Sequence, residues 1–381
     1  MDERAPFVDL PALLVEEVLE KASDVGNELC ENLRCLKEER AEYRQVLLDR
    51  GLILHESSFD YPPLPTTCGV DGSYAIERLL TVDLTAAAAV AVEGLTPPSE
   101  KRHWEQPHHM TFVVSEVHHA ETATVLRAVM LGNELVLATK APHDLVLIDG
   151  TLTMPIIYFN QALNLVQSTP ELRCAQEFQE HWEDYLRAYL TLLRAERSDK
   201  SYVSLPKYST RREIGRSLEW PGEHDDRGFL TLLLQAGELT RPLPLEQPEQ
   251  EWHLNWRGVP DRQERARELA TEIVNALGQV YVFYYKPHVW IPAIRVEVAR
   301  EIAMNPYRLG TVIQGLKHQC ATPAMLEPYP VNFADRTVKA LARAIPSFRQ
   351  VATQRIAERY EGDIGEVFFA MHGYRSEMGG S

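Results

Sequence analysis

The sequence predicts an α/β fold built on a mixed β-sheet, on three observations. From residue 67 to residue 150 the elements read strand, strand, strand, helix, strand. The last of these, Asp144-Leu145-Val146-Leu147-Ile148-Asp149-Gly150, is a short apolar run bounded by turn signals. That is the pattern of a buried central strand ending in an acid. Helical segments flank the block on both sides, so the sheet has apolar surfaces to pack against it.

Each element follows from its local pattern. Residues 9–50 read as helix, with Leu10, Leu13, Leu14, Val18 and Leu19 on one stripe and a charged helical stretch from Leu29 to Leu48. Such a segment is a surface or dimer-forming arm. Pro62, Pro63 and Pro65 then break the chain, which sets the arm at residues 1–60 and the main domain at 61–345. Thr67 to Ser73 leads into an apolar stretch from Leu79 to Val92. Thr111-Phe112-Val113-Val114 is a strand by its β-branched and aromatic content. Thr122 to Thr139 is a helix with Leu126, Met130, Leu131, Leu135 and Ala138 on one face.

Residues 156–198 are helical and read as an insertion at about 156–200; Ser201 to Leu205 returns to strand. Residues 241–262, rich in Pro, Glu and Gln, form a surface loop, and 263–277 a helix. Gln279 to Tyr285 and Ile291 to Val298 are strands joined around Lys286-Pro287-His288. Phe333 to Ala344 is a helix, and residues 346–381 are a C-terminal helix and tail with a frayed end at Met378-Gly379-Gly380-Ser381.

Composition narrows the function. The 381 residues carry 39 Lys+Arg against 55 Asp+Glu, a formal charge of −16. This argues against a protein that coats DNA by bulk electrostatics, which needs clustered basic residues. It does not exclude an enzyme whose metal site is itself made of carboxylates. No apolar run is long enough to span a membrane, and Met1-Asp2-Glu3-Arg4 does not begin a signal peptide. Cys30, Cys35, Cys68, Cys174 and Cys320 form no Cys-x-x-Cys pair and read as reduced thiols of a cytoplasmic protein.

Two segments echo each other. Val70-Asp71-Gly72-Ser73 and Ile148-Asp149-Gly150-Thr151 are each an apolar strand, then Asp-Gly, then a hydroxyl residue. An Asp at a strand end projects its carboxylate clear of the sheet, and the Gly lets a backbone or phosphate approach. Asp-Gly is also a common turn dipeptide. Two such carboxylates on neighbouring strands would hold a hard divalent cation such as Mg²⁺ or Mn²⁺. A third carboxylate is expected from the helix before Asp149. Glu121 and Glu134 are candidates, with Glu116 just ahead of that helix. Glu134 among Leu131, Leu135 and Ala138 needs a partner or a metal if buried.

With these pieces in order, the chain resembles the NurA nuclease family. The resemblance is carried by Val70-Asp71-Gly72-Ser73, by Leu145 to Leu152, and by Val203-Ser204-Leu205-Pro206-Lys207-Tyr208-Ser209. It continues through Asp226-Arg227, Gly237-Glu238-Leu239-Thr240, Ile294-Arg295-Val296-Glu297-Val298, Pro328-Tyr329-Pro330 and Ala334-Asp335-Arg336, and spans residues 67–345. It implies an RNase H-like fold and a Mn²⁺-activated DNA nuclease acting on single strands and 5′ ends. It further implies a homodimer docked on a hexameric HerA-type ATPase translocase, in DNA end processing or phage defence. Asp71 and Asp149 match the family's metal-binding aspartates, Glu134 its helix glutamate, and Lys207 a basic residue after the next strand. Many members have a His in the last helix where this chain has Asp335, which makes Asp335 a candidate fourth ligand.

Phosphodiester cleavage by such a site uses cations roughly 3.5–4 Å apart, so two Mn²⁺ or Mg²⁺ ions are expected, bridged by Asp71. Ser73, Lys207, Tyr208, Arg211 and Arg212 are candidate substrate contacts, with Tyr208 placed to stack on an unpaired base. Tyr284, Tyr285, Lys286, His288 and Trp290 form a second basic-aromatic cluster, of which Lys286 and His288 are the candidates for DNA. His103, His108, His109, His118 and His119 lack a zinc frame; His118-His119 is the pair placed to assist proton transfer. Two other classes compete: a non-catalytic adaptor of a translocase, and an RNase H-like hydrolase acting on RNA. Metal-dependent cleavage and a DNA/RNA comparison separate them.

Overall fold

A computed structural model describes the chain except residues 1–6, 8–9, 209, 221–224, 260–261 and 381. Asp9, Ser209 and Ser381, which figure in the expectations above, lie outside the described residues. The chain divides into two compact units, Met1–Ile53 and Leu54–Ser381.

The first unit is one long helix, α1 (Ala12–Asp49). Lys21 and Glu17 pair one turn apart at 2.6 Å on its surface. Gly51, at φ 62°, ends it: the Gly51 and Leu52 amides donate to the Leu48 and Leu47 carbonyls, satisfying the last turn. Leu13, Val18, Leu19, Val25, Leu29 and Leu33 stay exposed along it.

The second unit is a mixed sheet with helices packed on it. Its elements begin with β1 (Ile53–His55), β2 (Thr67–Leu79), β3 (Asp83–Glu93) and β4 (His108–Glu116). Next come α2 (Thr122–Lys140), β5 (Leu145–Asp149), α3 (Met154–Leu165), α4 (Arg173–Arg194) and β6 (Ser201–Leu205). Then follow α5 (Glu213–Ser217), α6 (Asp226–Leu233), β7 (Glu238–Thr240), β8 (Leu243–Pro244) and α7 (Gln263–Leu277). The rest is β9 (Val280–Lys286), β10 (Ile294–Ala299), α8 (Arg300–Ala303), α9 (Pro306–Gln319), α10 (Tyr329–Ala357), α11 (Ile364–Ala370) and β11 (Gly373–Gly380). Strand order is β1-β7-β9-β10-β6-β5-β2-β3-β4, with β11 beside β2 and β8 beside β9.

The centre of the sheet is parallel and its flanks antiparallel. β2 pairs with β5 in parallel from Thr67–Leu145 to Val70–Ile148, and β5 pairs with β6 in parallel. Parallel neighbours need a crossover, and α3 with α4 supplies it between β5 and β6. The helical segment expected as an insertion is thus this connection. It is locked onto α2, where a Cβ on Gly132 would fall 2.3 Å from the Tyr185 ring. The alanines 86–89 of β3 are buried on both faces of the strand.

Three expectations are corrected. The apolar stretch from Leu79 to Val92 divides at Leu80–Val82 into the β2–β3 hairpin, closed by the Leu79 amide on the Val82 carbonyl. Apolar residues in that turn hide the break. The last helix begins at Tyr329 and runs through Pro346 to Ala357, so it crosses the expected boundary at 345/346. Finally, Met378–Gly380 is not frayed: β11 lies antiparallel to β2, from Gly373–Leu79 to Gly380–Ser73. It takes the edge of β2 that β5 leaves open beyond Val70. Among the described residues, no helix is long and apolar enough to cross a membrane.

Candidate metal centre

The register of the central strands builds the site. Val70 stands opposite Ile148 as the last parallel pair, so the next residues, Asp71 and Asp149, emerge side by side. Both are buried. Each accepts a hydrogen bond from the amide of the glycine that follows: Gly72 at 2.8 Å and Gly150 at 2.9 Å. Gly150, at φ 92°, turns the chain away so that Asp149 stays at the strand end. Asp335, on α10, completes a trio whose carboxylate oxygens lie within 4.8 Å of one another.

α10 reaches this point because it lies directly against β2. A Cβ on Gly69 would fall 2.4 Å from the Pro330 carbonyl carbon, so only glycine admits the start of the helix. Further along, Ala334 and Val338 pack on Val90 and Val92, and Ile345 on Ala75 and Ala86.

Glu134 stands behind the trio on α2. Its Oε2 lies 3.1 Å from where a Gly72 Cβ would be and is buried without a hydrogen-bond partner. Burial, then the negative Asp71 and Asp149, push its carboxyl well above the usual carboxylate range. The other two acids considered for this role are placed elsewhere. Glu116 accepts from the Arg173 and Cys174 amides at the start of α4, at 2.9 and 2.6 Å. Glu121 is the residue that precedes α2.

An orphaned buried carboxylate oxygen behind a trio of converging acids is a donor set suited to a hard divalent cation. Asp71, Asp149 and Asp335 line a cavity of about 370 Å³ and, with Glu134 behind them, would hold it.

The model of the NurA domain matches residues 65–340. The chain belongs to the NurA family. Its fold is similar to the crystal structure of the NurA nuclease from Sulfolobus solfataricus, at 14% identity and TM-score 0.57, covering 91% of this chain and 98% of that one. A crystal structure of NurA with manganese is also similar, at 13% identity and TM-score 0.50, over 91% of this chain and 99% of the other. No curated protein matches the chain. The mixed sheet flanked by helices that the sequence predicts agrees with these likenesses, and the family is one of metal-dependent nucleases.

In this NurA chain Lys207 is not an open phosphate contact. Its ammonium lies 2.6 Å from Asp149, 3.1 Å from Asp335 and 3.2 Å from Glu327. Burial disfavours its charge, but the three acids outweigh that and raise its pKa above the usual lysine range. Arg227 holds the backbone at this point, donating to the Lys207 carbonyl and, at 3.1 Å, to the Ala293 carbonyl. Lys339 pairs with Asp335 at 2.6 Å. At Asp335 burial opposes ionisation, yet Lys339 and Lys207 prevail and hold its carboxyl below the usual range.

A buried network, invisible as such in the sequence, fixes the loop after Asp149. Glu297 accepts from the Thr151 hydroxyl at 2.7 Å and the Leu152 amide at 2.9 Å. Arg295, itself buried, donates to Glu297 at 3.0 Å and to both oxygens of Glu213. The alternation of Arg and Glu in an apolar strand, Ile294 to Val298, is its only trace in the sequence.

Of the expected substrate contacts, Ser73, Lys207 and Tyr208 line the cavity, Lys207 tied to its acids, and Tyr208 is 94% exposed. The others are directed elsewhere. Arg211 donates to the Glu246 carbonyl at 3.3 Å and Arg212 to the Trp220 carbonyl at 2.5 Å. Lys286 donates to the Thr231 carbonyl at 2.6 Å, on a strand separated from β5 by β10 and β6. His288 stacks on Trp290 at 4.4 Å and lies 3.3 Å from the Lys317 carbonyl. The His118-His119 pair is also away from the centre. His118 lies 2.7 Å from Asp83, at the start of β3 and the far end of the β2–β3 hairpin from Asp71. Backbone carbonyls claim these cations, and linear spacing does not show which carbonyls fold beside them.

Proposed function

We propose that this protein is a manganese- or magnesium-dependent nuclease acting on DNA single strands and 5′ ends, with Asp71, Glu134, Asp149 and Asp335 as its catalytic set. The observation that carries the reading is the convergence of Asp71, Asp149 and Asp335 within 4.8 Å in front of the orphaned Glu134 oxygen. A bound divalent cation supplies Lewis acidity toward a phosphate oxygen and lowers the pKa of a bound water. Asp71 would be the shared ligand if two ions bind. Lys207 and Lys339 offset the excess negative charge at Asp149 and Asp335 when no cation does. Ser73 and Tyr208 line the path of the strand, Tyr208 as a stacking surface for an unpaired base.

The same reading includes a homodimer, served by the exposed apolar stripe of α1, and a hexameric HerA-type ATPase that delivers the strand. A chain of charge −16 binds DNA weakly alone, so a translocase that feeds the site compensates. The setting is DNA end processing in repair or phage defence, in the cytoplasm.

Cleavage of 5′- and 3′-labelled single strands in Mn²⁺, Mg²⁺ and EDTA, on DNA and RNA, tests the proposal. Wild type is expected to cut DNA with either metal and not in EDTA. Asp71→Ala is expected to fold normally and lose cleavage by a factor of about 10³ or more. A well-folded Asp71→Ala protein that still cuts would sink the assignment, and preferential cutting of RNA would replace the substrate.

A further inference from the structure

Lys207 lines the same cavity as Asp71 and Asp149, and three carboxylates surround its ammonium. Asp149 comes from the end of β5, Glu327 from the segment just before α10, and Asp335 from that helix. An ammonium carries three donors, and these three acids stand at 2.6, 3.2 and 3.1 Å from it. Those are hydrogen-bonding spacings; a hard divalent cation such as Mg²⁺ draws its oxygens in to about 2.0–2.1 Å.

The ring of acids is held from outside the cavity. Arg227 pins the Lys207 backbone through its carbonyl and holds the Ala293 carbonyl as well. The other oxygen of Glu327 accepts from the Asn332 side-chain amide at 2.7 Å, and Lys339 pairs with Asp335 at 2.6 Å. Two members of the ring are shared: Asp149 and Asp335 also belong to the trio with Asp71.

Two-ion hydrolysis sets its cations about 3.5–4 Å apart, clamping the attacking and leaving oxygens. A second divalent ion drawing on Asp149 and Asp335 would meet the ammonium at the same oxygens. Like charges at that range repel, so either the ion or the lysine holds the place. The lysine is tethered by its own backbone, so it loses no translational freedom in taking it.

We propose that Lys207 holds the place of the second cation and keeps it when metal binds, so that the centre takes one divalent ion rather than two. The acids occupy its donors, so it serves through its charge. The proposal rests on the reading above of these acids as a cation centre, and fixes the count which that reading leaves open.

The test counts Mn²⁺ on the full chain by calorimetry and follows it by electron paramagnetic resonance. Ions at the centre are those lost in Asp149→Asn, which subtracts any held by surface carboxylates. Wild type is expected to hold one, with the hyperfine signal of an isolated Mn²⁺. Lys207→Ala is expected to hold two and to show the denser signal of a coupled pair about 4 Å apart. Two ions or a coupled pair in wild type overturn the proposal, and so does a single ion in a folded Lys207→Ala. If Lys207→Ala does not fold, Lys207→Met, which keeps the stem, carries the same count; the wild-type signal decides even if neither folds. Cleavage by wild type in Mn²⁺ separates the two readings. One ion in an inert wild type leaves the proposal standing and removes the nuclease. A coupled pair in an active wild type does the reverse, and a wild type that binds no Mn²⁺ removes both.

Discussion

Glu134 is buried beside Gly72, close enough to feel the charges of Asp71 and Asp149, with one oxygen unpartnered. Burial, then the negative Asp71 and Asp149, favour the protonated form of an acid so placed. Replacing it with glutamine therefore keeps the shape and removes a charge that this position disfavours. Glu134→Gln is expected to melt within a few degrees of wild type without metal, yet to lose most of the stabilisation that Mn²⁺ confers. Ligand linkage gives about 2.7 kcal/mol at a hundredfold excess over Kd. Thermal melts with and without Mn²⁺ read both quantities, and a full Mn²⁺ shift in the variant would remove Glu134 from the ligand set. Much of this site is legible in the sequence. Asp71 and Asp149 stand out because a carboxylate followed by glycine in an apolar strand run has few structural uses, although only Asp149 ends its strand as expected; β2 continues past Asp71 to Leu79, paired with β3. Glu134 stands out as a charge on an apolar helix face. Lys207 is conspicuous as a basic residue but its neighbours are not: its three acids come from the end of β5 and from the distant segment of Glu327 and Asp335, and their convergence is a property of the fold.

At the level of elements, the same contrast has a different cause. β5, β6, β9 and β10 can be read because buried strands are apolar runs, and α2 and α7 because their apolar faces are periodic. β11, with three glycines in eight residues, carries no strand signal; the open edge of β2 recruits it. α9 begins at Asn305-Pro306, where Asn305 caps the Tyr307 and Arg308 amides at 3.1 and 3.2 Å, a start signal that a weak apolar period obscures. The docking of α10 on β2 depends on a single glycine. At Gly69 even one methyl group would meet the Pro330 carbonyl carbon at 2.4 Å, and both partners are backbone, so the helix itself must move. Gly69→Ala is expected to cost about 1–3 kcal/mol, as overpacking does. It should also carry Asp335 away from Asp71 and weaken Mn²⁺ binding, although no ligand has been altered. Urea unfolding and Mn²⁺ calorimetry on this variant check both effects, and normal metal affinity would show that Asp335 does not contribute.

Over the whole molecule, stability against acid is set by groups whose shifts oppose one another, and their pH windows separate them. His143 is fully buried, stacked edge-on against His103 and Trp104, with Glu93 3.6 Å away and Lys200 and Cys68 nearby. Burial holds it to about 4, against the attraction of Glu93. An unfolded histidine titrates near 6.5. Between those values the unfolded chain binds more protons, so folding stability falls as pH drops from about 6.5 to 4. The loss from His143 alone amounts to no more than about 3 kcal/mol. Asp226 acts in the reverse sense within part of that window. Burial raises it to about 6, despite the Ile214 and Gly215 amides that donate to it, so its buried charge is relieved as pH falls through 6 toward 4. Glu56, Glu213 and Asp335, all held low by basic partners, withdraw their stabilisation only below the ordinary carboxylate range. The wild-type curve between pH 6.5 and 4 is therefore a balance of opposed contributions, with the raised carboxyls of Glu134 and Asp149 acting in the same sense as Asp226, and does not by itself reveal any one of them. The difference between wild type and His143→Gln does. The variant should lose less stability than wild type between those pH values, by up to about 3 kcal/mol in urea titrations, and the two should run parallel above pH 7. Parallel curves across the whole range would mean that the buried ring is already protonated in the folded protein, paired with Glu93.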